Sequence, residues 1–400
     1  MFFHVSGIDP DQTNAAVRVE MVTNRHTFDL FLHFPWQVYR KNTAWVPPLL
    51  IERKQIFSLQ HNPFLKNADV QLFLAYRSRQ VVGTIAAFID RRTMALRPEA
   101  AGSFGFFEVL PDSAAAYALL QAAEAWLRAR GMKIIRGPMN FATDNECGLL
   151  LDAYDQSPVL MTLYNPPYYR SLLEQAGYTK AADWYAYTID RETLMDPDHY
   201  SIHPRFKRVI AVAHQRSQVH IRPVRLDRLA QELQYIQHIY NAAWANNWNH
   251  TPMNDDEIAH LARSLRPFID PDLVLLAEDG DRPVAMSITL PDLHQAIKPL
   301  NGRVLPFGWW RLLHWRPYVD TVRFFAMGVL PPYRRQGIEG LLCYKTFRAA
   351  IRKGYRRAEL SLVVEYNTVM RRSIEAFGAQ RAKTYRIYQK ALTEDCTGID

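Results

Sequence analysis

The stretch LPPYRRQGIEGLL (residues 330–342) contains two prolines, a pair of arginines and two glycines, and it ends in the first residues of an apolar run. The prolines are expected to end a strand, because a proline has no N–H to donate to a sheet. Gly337 lets the backbone approach a ligand closely, and the free N–H groups of the following helix would point at that ligand. The helix dipole, with Arg334 and Arg335, makes the turn suited to a pyrophosphate. A plain strand-to-helix turn with surface arginines is the alternative.

The positive charge of the chain is concentrated around this stretch. The net charge is +8, and the segment from Arg323 to Lys390 holds 15 Lys/Arg against 4 Asp/Glu. Such a surface favours an anion: a phosphorylated cofactor, an acidic membrane or nucleic acid. No finger, homeodomain or RNA-recognition signature occurs, and much of the charge falls in segments with apolar periodicity. Nucleic acid is therefore the weakest of the three partners.

Composition and cysteine usage predict a globular cytosolic protein. Apolar residues make up 48% of the chain and charged residues 22%. No apolar run reaches the roughly 18 residues that a membrane-spanning helix needs. The N-terminus MFFHVSGIDPDQ lacks the basic and then apolar segments of a signal peptide. Cys147, Cys343 and Cys396 are odd in number and widely spaced, which predicts reduced thiols and no metal site.

A chain of 400 residues is longer than one hydrophobic core usually accommodates, so two domains are expected. The two halves of the sequence repeat one pattern of strands and helices. Ala75 matches Ala277, Gly83 matches Ala285 and Asn165 matches Asn367, each at an offset of 202 residues. This agreement predicts a tandem duplication joined within residues 191–206. The predicted elements of the first half are strand 17–22, helix 28–39, hairpin 70–89, strand 104–110, helix 112–130 and strand 133–137. Those of the second half are strand 220–226, helix 227–248, hairpin 272–290, strand 321–330, helix 337–353 and strand 358–364.

The opening stretch resembles the acetyl-coenzyme A loop of the GNAT (N-acetyltransferase) superfamily. Arg334, Gln336 and Gly337 stand at the motif positions, whereas Glu339 replaces the second small residue and Gly340 follows one place later. The resemblance implies a mixed α/β protein of tandem GNAT folds, each a mixed twisted sheet flanked by helices. Its first domain, residues 1–195, would be a degenerate copy, because PDSAAAYALL after strand 104–110 has neither the glycine turn nor the arginines. Its second domain, residues 205–400, would hold coenzyme A.

A second GNAT-like signature lies in VVEYNTVMRRSIEAFGA, where Asn367 and Gly378 fit the superfamily spacing. A tyrosine that protonates the departing thiolate usually follows the Asn by seven residues, but Ile374 stands there. Tyr385 and Tyr388 are candidate substitutes, with strand packing as the alternative, and Tyr388 is taken as the catalytic acid. The resemblance implies cofactor contacts from Met327, Gly328, Val329, Arg334, Arg335, Gln336, Gly337, Ile338, Gly340 and Asn367.

The whole chain is similar to the bacterial ceramide synthase-like group of two-domain GNAT proteins. RGPMNFATDNECGLL (136–150), YNPPYYRSLLEQAGY (164–178) and NAAWANNWNHTPMNDDE (241–257) are among the stretches that carry this likeness. It implies direct transfer of a long acyl group from acyl-coenzyme A to the amine of a sphingoid base. The implied location is the cytoplasm, at the inner membrane as a peripheral protein. Without an acyl-enzyme, Cys343 is expected to be a core residue. The alternatives are acylation of an amino acid or a small amine, a non-catalytic acyl-CoA-binding relative, or a membrane-recruitment module.

Candidate groups for the acceptor side lie in polar and aromatic segments. Glu257 and His250 are candidate proton acceptors, although NDDE also fits a helix cap, with Asp255 and Asp256 favouring the dipole. The Trp-rich segment 304–317 suits a bilayer interface or an acyl tunnel, or else packs against the neighbouring domain. The polar cluster after strand 133–137 could bind the head of the amine or form a plain loop network. The predicted substrate-binding residues are Asn140, Asp144, Glu146, Trp244, Trp248, Asp292, Trp309 and Trp310.

Overall fold

The structure is a computed structural model that describes residues 16–141, 146–196, 201–202, 204, 210–211, 213, 215 and 217–392. Strands of the first half are β1 Val17–Met21, β2 Ala68–Arg77, β3 Gln80–Asp90, β4 Ala101–Val109, β5 Ile134–Gly137, β6 Leu149–Leu150 and β7 Thr179–Asp190. Its helices are α1 Arg25–His33, α2 Pro35–Val38, α3 Leu50–Ile56, α4 Arg91–Leu96, α5 Ser113–Arg128 and α6 Tyr169–Gln175. The connection holds α7 Arg191–Leu194, β8 Met195–Asp196 and β9 Ser201–Ile202.

The second half repeats this order. Its strands are β10 His220–Pro223, β11 Val274–Asp279, β12 Arg282–Pro291, β13 Thr321–Val329, β14 Arg357–Val364 and β15 Gln380–Ala391. Its helices are α8 Leu229–Trp244, α9 Asp255–Leu265, α10 His294–Ile297, α11 Gly308–Leu313, α12 Ile338–Arg352 and α13 Thr368–Ala376. Short 3-10 turns lie at Pro63–Asn67, Leu226–Arg228, Arg266–Phe268, Pro271–Leu273, Lys298–Leu300, Arg316–Tyr318 and Pro331–Tyr333.

Strands of the described ranges form one continuous sheet of 13 strands, beside a small β8–β9 ribbon. The order is β1-β2-β3-β4-β5-β15-β7-β14-β13-β12-β11-β10, with β6 paired to β15. The sheet is mixed, because β4 runs parallel to β5, and β13 to β14, while the other neighbours are antiparallel. The two ends of the order mirror each other, β1 to β5 corresponding to β10 to β14.

The last strand of each half lies in the other half. β7 pairs with β14, where Asp190 faces Arg357, and β15 pairs with β5, where Tyr388 faces Gly137. β7 and β15 also pair with each other and so join the halves. The predicted pair of mixed sheets is therefore present as one sheet with exchanged final strands. The predicted domain limits, residues 1–195 and 205–400, stay a prediction.

The two hairpins have the same register. Ala75 faces Gly83 in the first and Ala277 faces Ala285 in the second, and each ladder shifts register immediately after that pair. The third matched pair has diverged, because Asn367 caps α13 through Met370 N at 3.1 Å. The Asn165 side chain instead accepts from Leu150 N at 2.7 Å.

Each half buries a helix against its sheet. Leu119, Leu120 and Leu127 of α5 are fully buried over β2 and β3, at the spacing of one helical face. Leu341 and Leu342 of α12 are buried in the same way over β11 to β13. Each such side chain stabilises the fold by about 1.5–3 kcal/mol relative to exposure. These contacts fix the helices that follow β4 and β13.

Two predicted helices differ from those in the structure. The helix predicted over residues 28–39 is divided into α1 and α2 at Pro35, because a proline has no N–H for the helical ladder. The helix predicted to reach residue 248 ends at Trp244, where the asparagine-rich sequence ANNWN has low helix propensity. No helix within the described ranges has both the length and the apolar character needed to cross a bilayer.

Candidate active site

The strands β13 and β14 separate at the sheet position where the sequence predicts cofactor contacts. They pair from Thr321–Arg357 to Phe324–Leu360 and then diverge. Phe325 is a bulge residue with no partner on β12, since Phe324 faces Thr289 and Ala326 faces Ile288. Bulges re-aim the strand at such sites. The predicted contacts Met327, Gly328 and Val329 continue along β13 beyond this gap.

Gly328 is required by the close approach of α8. A Cβ atom built there would stand 2.6 Å from the Trp244 ring and 2.9 Å from the Ala243 Cβ. Trp244 stacks on Tyr240 with ring centroids 4.6 Å apart. Trp244, a predicted substrate contact, therefore covers β13 directly beside the gap.

The N-terminus of α12 follows β13 and receives no side-chain cap from the residues that the structure describes. Gly337 is the N-cap residue with φ of 84°, a left-handed conformation that suits glycine. Leu341 N donates to Gly337 O at 3.1 Å. A Cβ atom at Gly340 would meet nothing within 4 Å. The N–H groups of the first turn, including that of the buried Ile338, have no carbonyl partner within the helix and point out of its N-terminal end.

The basic residues of this turn have different partners. The Arg334 side chain donates to Val329 O at 3.2 Å and to Ala243 O at 2.9 Å. Arg335 is exposed and has φ of 65°. Gln336 donates to Pro332 O at 3.3 Å. Arg334 therefore joins α8 to the end of β13, whereas Arg335 is the more accessible charge. Asn367, the last predicted cofactor contact, is the cap of α13.

The first half differs at the corresponding turn. The Asp112 carboxylate caps α5 by accepting from Ala115 N at 3.0 Å. It also forms an ion pair with Arg77 at 2.8 Å. A carboxylate at this helix N-terminus takes the place that an anion would need.

A cleft of about 1100 Å³, open solvent included, lies between the two halves beside Phe325. It is lined from the second half by His250 and Glu257 and from the first half by Arg92 and Arg136, among others. We call it the inter-half cleft.

The two predicted bases, His250 and Glu257, differ in whether their acceptor atoms are already hydrogen-bonded. The Nε2 atom of His250 is buried and has no hydrogen-bond partner in the described part of the chain. Burial, with Arg97 nearby, lowers the pKa of His250 to about 4, so the ring is neutral near pH 7. Glu257 accepts from Arg92 at 2.6 and 2.7 Å and from Asn254 N at 2.9 Å in a capping box. Its carboxylate is occupied, and the alternative reading of NDDE as a cap fits this geometry.

Tyr388 lies away from the gap between β13 and β14. It is 1% exposed within the core of the first half, and its hydroxyl donates to Glu174 at 3.0 Å. Tyr385 is also fully buried. Ile374 packs in the core of the second half. The structure therefore does not bring the predicted acid to the site, because β15 belongs to the sheet of the first half.

The predicted substrate contacts fall in several places. Asn140 and Glu146 lie together in the first half, where Asn140 donates to Glu146 at 2.6 Å. Asp144 lies outside the described residues. Trp248 lies near Arg136, at 5.6 Å from ring to guanidinium. Asp292 accepts from Leu160 N at 2.8 Å and so ties the halves together. Trp309 and Trp310 are 48% and 56% exposed on α11.

Sequence reasoning missed several buried charged residues in strands and helices. Glu108, Arg136 and Arg323 each interrupt an apolar strand, which was the available signal. Arg53 has no such signal, because it lies in the polar run ERKQ of α3. The side chains of Cys147 and Cys343 are buried, and Cys396 lies outside the described residues. No group of three or more His, Cys, Asp or Glu side chains that could hold a metal occurs in the described ranges.

Two solved structures share this fold over nearly the whole chain. A tandem GNAT protein from the clavulanic acid biosynthesis pathway has a TM-score of 0.57, covering 95% of this chain and 99% of that one at 9% identity. A fungal multi-domain β-N-acetylglucosaminidase with a GCN5-related glucosamine N-acetyltransferase region has a TM-score of 0.55, covering 96% of this chain and 39% of that one at 12% identity. The fold is that of a tandem GNAT protein, as predicted.

Two relatives in sequence span almost the whole chain. The bacterial ceramide synthase of Caulobacter vibrioides is 36% identical over 390 residues, 96% of this chain and 99% of the relative. Protein YghO of Escherichia coli K12 is 32% identical over 381 residues, 94% of this chain and 95% of the relative. No protein-family model matches the chain. The chain belongs to the bacterial ceramide synthase family and is an N-acyltransferase.

Proposed function

We propose that this N-acyltransferase takes its acyl group from an acyl-coenzyme A thioester bound between β13 and β14. The observation that carries the proposal is the uncapped N-terminus of α12, placed after the gap between these strands. Free N–H groups and the helix dipole favour a pyrophosphate there. Arg335 adds an accessible positive charge. The pantetheine arm would then follow Met327–Val329 toward the bulge at Phe325.

The acceptor amine enters the inter-half cleft, and His250 takes its proton. The amine nitrogen attacks the thioester carbon, so that a C–N bond forms and the C–S bond breaks. The proton lost from nitrogen passes to His250 Nε2, which is neutral and unpartnered in the described part of the chain. A thiol with an ordinary pKa of about 8.5 leaves as the thiolate without a strong acid. This step therefore needs neither Tyr388 nor a residue at position 374.

A long-chain lipid substrate is supported by the surface around α11. Exposed apolar side chains cluster there: Leu305, Phe307, Trp309, Trp310, Leu313 and Tyr318 are 44% to 83% exposed. Of the three tryptophans in segment 304–317, only Trp315 is buried. Packing in the protein core therefore accounts for Trp315 but not for Trp309 and Trp310. Aromatic rings beside arginines suit the interface of a bilayer. We place the protein in the cytoplasm, peripheral at the inner membrane, and take a sphingoid base as its acceptor, since one relative is named a bacterial ceramide synthase.

The test measures thiol release from purified protein with palmitoyl-CoA or acetyl-CoA and a panel of amines. We expect release with palmitoyl-CoA and sphinganine, and little with acetyl-CoA or with amino acids and polyamines. Release with a polar amine but not with sphinganine would assign a small-amine acyltransferase instead. The control is Arg225→Gln, which removes a positive charge outside the turn and should leave the rate unchanged, whereas Arg335→Gln should raise the KM for palmitoyl-CoA.

A further inference from the structure

A second chamber, of about 960 Å³ with open solvent included, lies in the first half where β4 and β5 separate. These strands pair from Ala101 to Ser103 on β4 and then diverge, as β13 and β14 do. Phe106, on its wall, has φ of 47°. A bulky side chain in the left-handed region is strained, and such strain is concentrated at functional sites.

The chamber has apolar walls and a charged floor. Trp45, Val46, Pro48, Phe57, Phe106 and Leu149 are among the apolar lining residues. The ionisable lining groups are Arg53, Glu108, Glu146 and His294. Burial lowers the pKa of His294 to about 4, so that this ring is neutral near pH 7. The floor thus holds two carboxyl groups and one guanidinium.

Glu146 already has its counter-ion. Arg53 donates to both of its carboxylate oxygens at 3.2 and 3.4 Å, and Asn140 donates at 2.6 Å. Burial alone would raise the pKa of Glu146, but Arg53 and the hydrogen bonds outweigh it and leave that pKa lowered. This pair is neutral as a unit.

Glu108 has no such counter-ion. Its Oε2 accepts the Tyr39 and Tyr169 hydroxyls, each at 2.8 Å, and no cation donates to it in the part of the chain that the structure describes. Burial raises the pKa of Glu108 to about 7, and the negative charge of Glu146 also raises it. The two tyrosine hydrogen bonds and the charge of Arg53 lower this pKa but do not outweigh burial. A cation that joined this half-buried carboxyl group would stabilise its ionised form.

We propose that this chamber is a binding site for a protonated primary amine with an apolar chain, its ammonium against Glu108 and its chain against the aromatic wall. A carboxylate or phosphate ligand is disfavoured, because the guanidinium of Arg53 is already paired. This chamber shares no lining residue with the inter-half cleft, where the proposed function places the reacting amine, so the binding of this second amine does not rest on the proposed function.

The wall of the chamber is attached to the loop that leads to α11. The Trp36 indole N–H donates to Asn301 Oδ1 at 2.8 Å, and Leu50 N donates to Gly302 O at 3.0 Å. Gly302 also lies against the Pro48 carbonyl, 3.1 Å from a Cβ built on it. The apolar side of the chamber is therefore next to the exposed aromatic surface, where an amphiphilic amine would arrive.

The experiment measures hexylamine and hexan-1-ol binding to the full chain by calorimetry, with no acyl donor present. We expect hexylamine to bind at least about tenfold more tightly than hexanol, as a charge-assisted contact requires. Glu108→Gln should weaken hexylamine binding about tenfold and leave hexanol binding unchanged. Glu375→Gln is the matched control, because Glu375 also accepts a tyrosine hydroxyl, from Tyr187 at 3.0 Å, outside the chamber. It should alter neither affinity.

Proton release gives a second readout that needs no variant. Below pH 7 Glu108 is largely protonated, so that binding of an ammonium expels its proton and the affinity rises as the pH rises through about 7. The other groups that face it do not titrate in this range: Tyr39, Tyr168 and Tyr169 have raised pKa values, Arg53 stays charged and Glu146 stays ionised. Heats measured at pH 6 should therefore depend on the ionisation enthalpy of the buffer.

Equal affinity for hexylamine and hexanol, or no proton release at pH 6, would overturn the inference, even if Glu108→Gln proved unstable. The results that would overturn the chamber site differ from those that would overturn the proposed function. Thiol release without this binding removes the chamber site alone. Amine binding without thiol release from any donor removes the proposed acyl donor or acceptor and leaves the chamber site in place.

Discussion

Gly337 is constrained in two independent ways. Its φ of 84° favours glycine, and a Cβ there would stand 2.8 Å from the Ala213 Cβ. We expect Gly337→Ala to lower the free energy of unfolding by about 1–2 kcal/mol. Gly340→Ala is the matched control, because it lies in the helix with open space beside it. It should leave stability unchanged or raise it by up to about 1 kcal/mol. Urea unfolding measures both, and equal losses would contradict the conformational explanation.

His250 should set the acid limit of the reaction. Its pKa is lowered to about 4 from the ordinary 6.5, so the neutral form that accepts a proton persists as pH falls, and is lost only near pH 4. We expect the acid limb of kcat to fall near pH 4 and to be absent in His250→Gln, whose kcat should drop about 100-fold or more.

His238→Gln is the control for this profile, because His238 is exposed on α8. It should keep both the rate and the acid limb. An acid limb near pH 6.5 that survives in His250→Gln would assign the proton acceptor elsewhere.

The role of a residue could be predicted from the sequence when its contacts are with residues near it in the chain. The Gly337 turn and its arginines were readable from LPPYRRQGIEGLL, because strand, turn and helix are adjacent in sequence. The roles of Glu257 and Arg334 depend on Arg92 and Ala243, which are distant in sequence. The same distance separates Glu108 from Tyr39 and Tyr169. Sequence spacing therefore identified which residues were chemically suitable, but not which of them were already engaged.

At the scale of elements, α11 exposes Trp309 and Trp310, whose rings contact only each other and His314 among the ring contacts of the described residues. We expect Trp309→Ala with Trp310→Ala to reduce partitioning onto vesicles of equal parts phosphatidylglycerol and phosphatidylcholine by about tenfold or more. The fold should be unaffected, because both rings are about half exposed. Vesicle flotation measures the bound fraction.

Tyr117→Ala is the matched control, since Tyr117 is a 50% exposed aromatic residue on α5. Its removal should leave vesicle binding unchanged. Equal binding of the double tryptophan variant and the parent chain would remove the membrane role of α11.

Elements themselves were largely predictable. The hairpins at 70–89 and 272–290 were identified because two apolar runs on either side of a short polar turn are a local signal. The division of the first helix at Pro35 was missed, although proline was a visible breaker. The irregularity at Phe106, where the β3–β4 ladder shifts register, and the bulge at Phe325 were not foreseen, because both depend on the partner strand.

At the scale of the whole molecule, the exchanged strands should make the halves interdependent. We expect fragments 1–200 and 201–400, expressed together, to purify as a one-to-one complex, and each alone to fail to fold. The reason is that β5 and β14 each need a neighbour supplied by the other fragment. The intact chain should unfold in a single transition.

Circular dichroism and size exclusion measure these outcomes. A stable monomer from either fragment, or two separate melting transitions, would contradict the dependence. The exchange was not predictable from sequence, because the alternation within β7 or β15 specifies a strand and not its neighbour.

The position of β15 also bears on synthesis of the chain. β5 is complete after residue 137, yet the strand that covers its outer edge spans Gln380–Ala391. As the polypeptide emerges from the ribosome, that edge stays open until residues 380–391 have also been translated. The sheet of the N-terminal part therefore cannot close at β5 during synthesis before more than 240 further residues have been added.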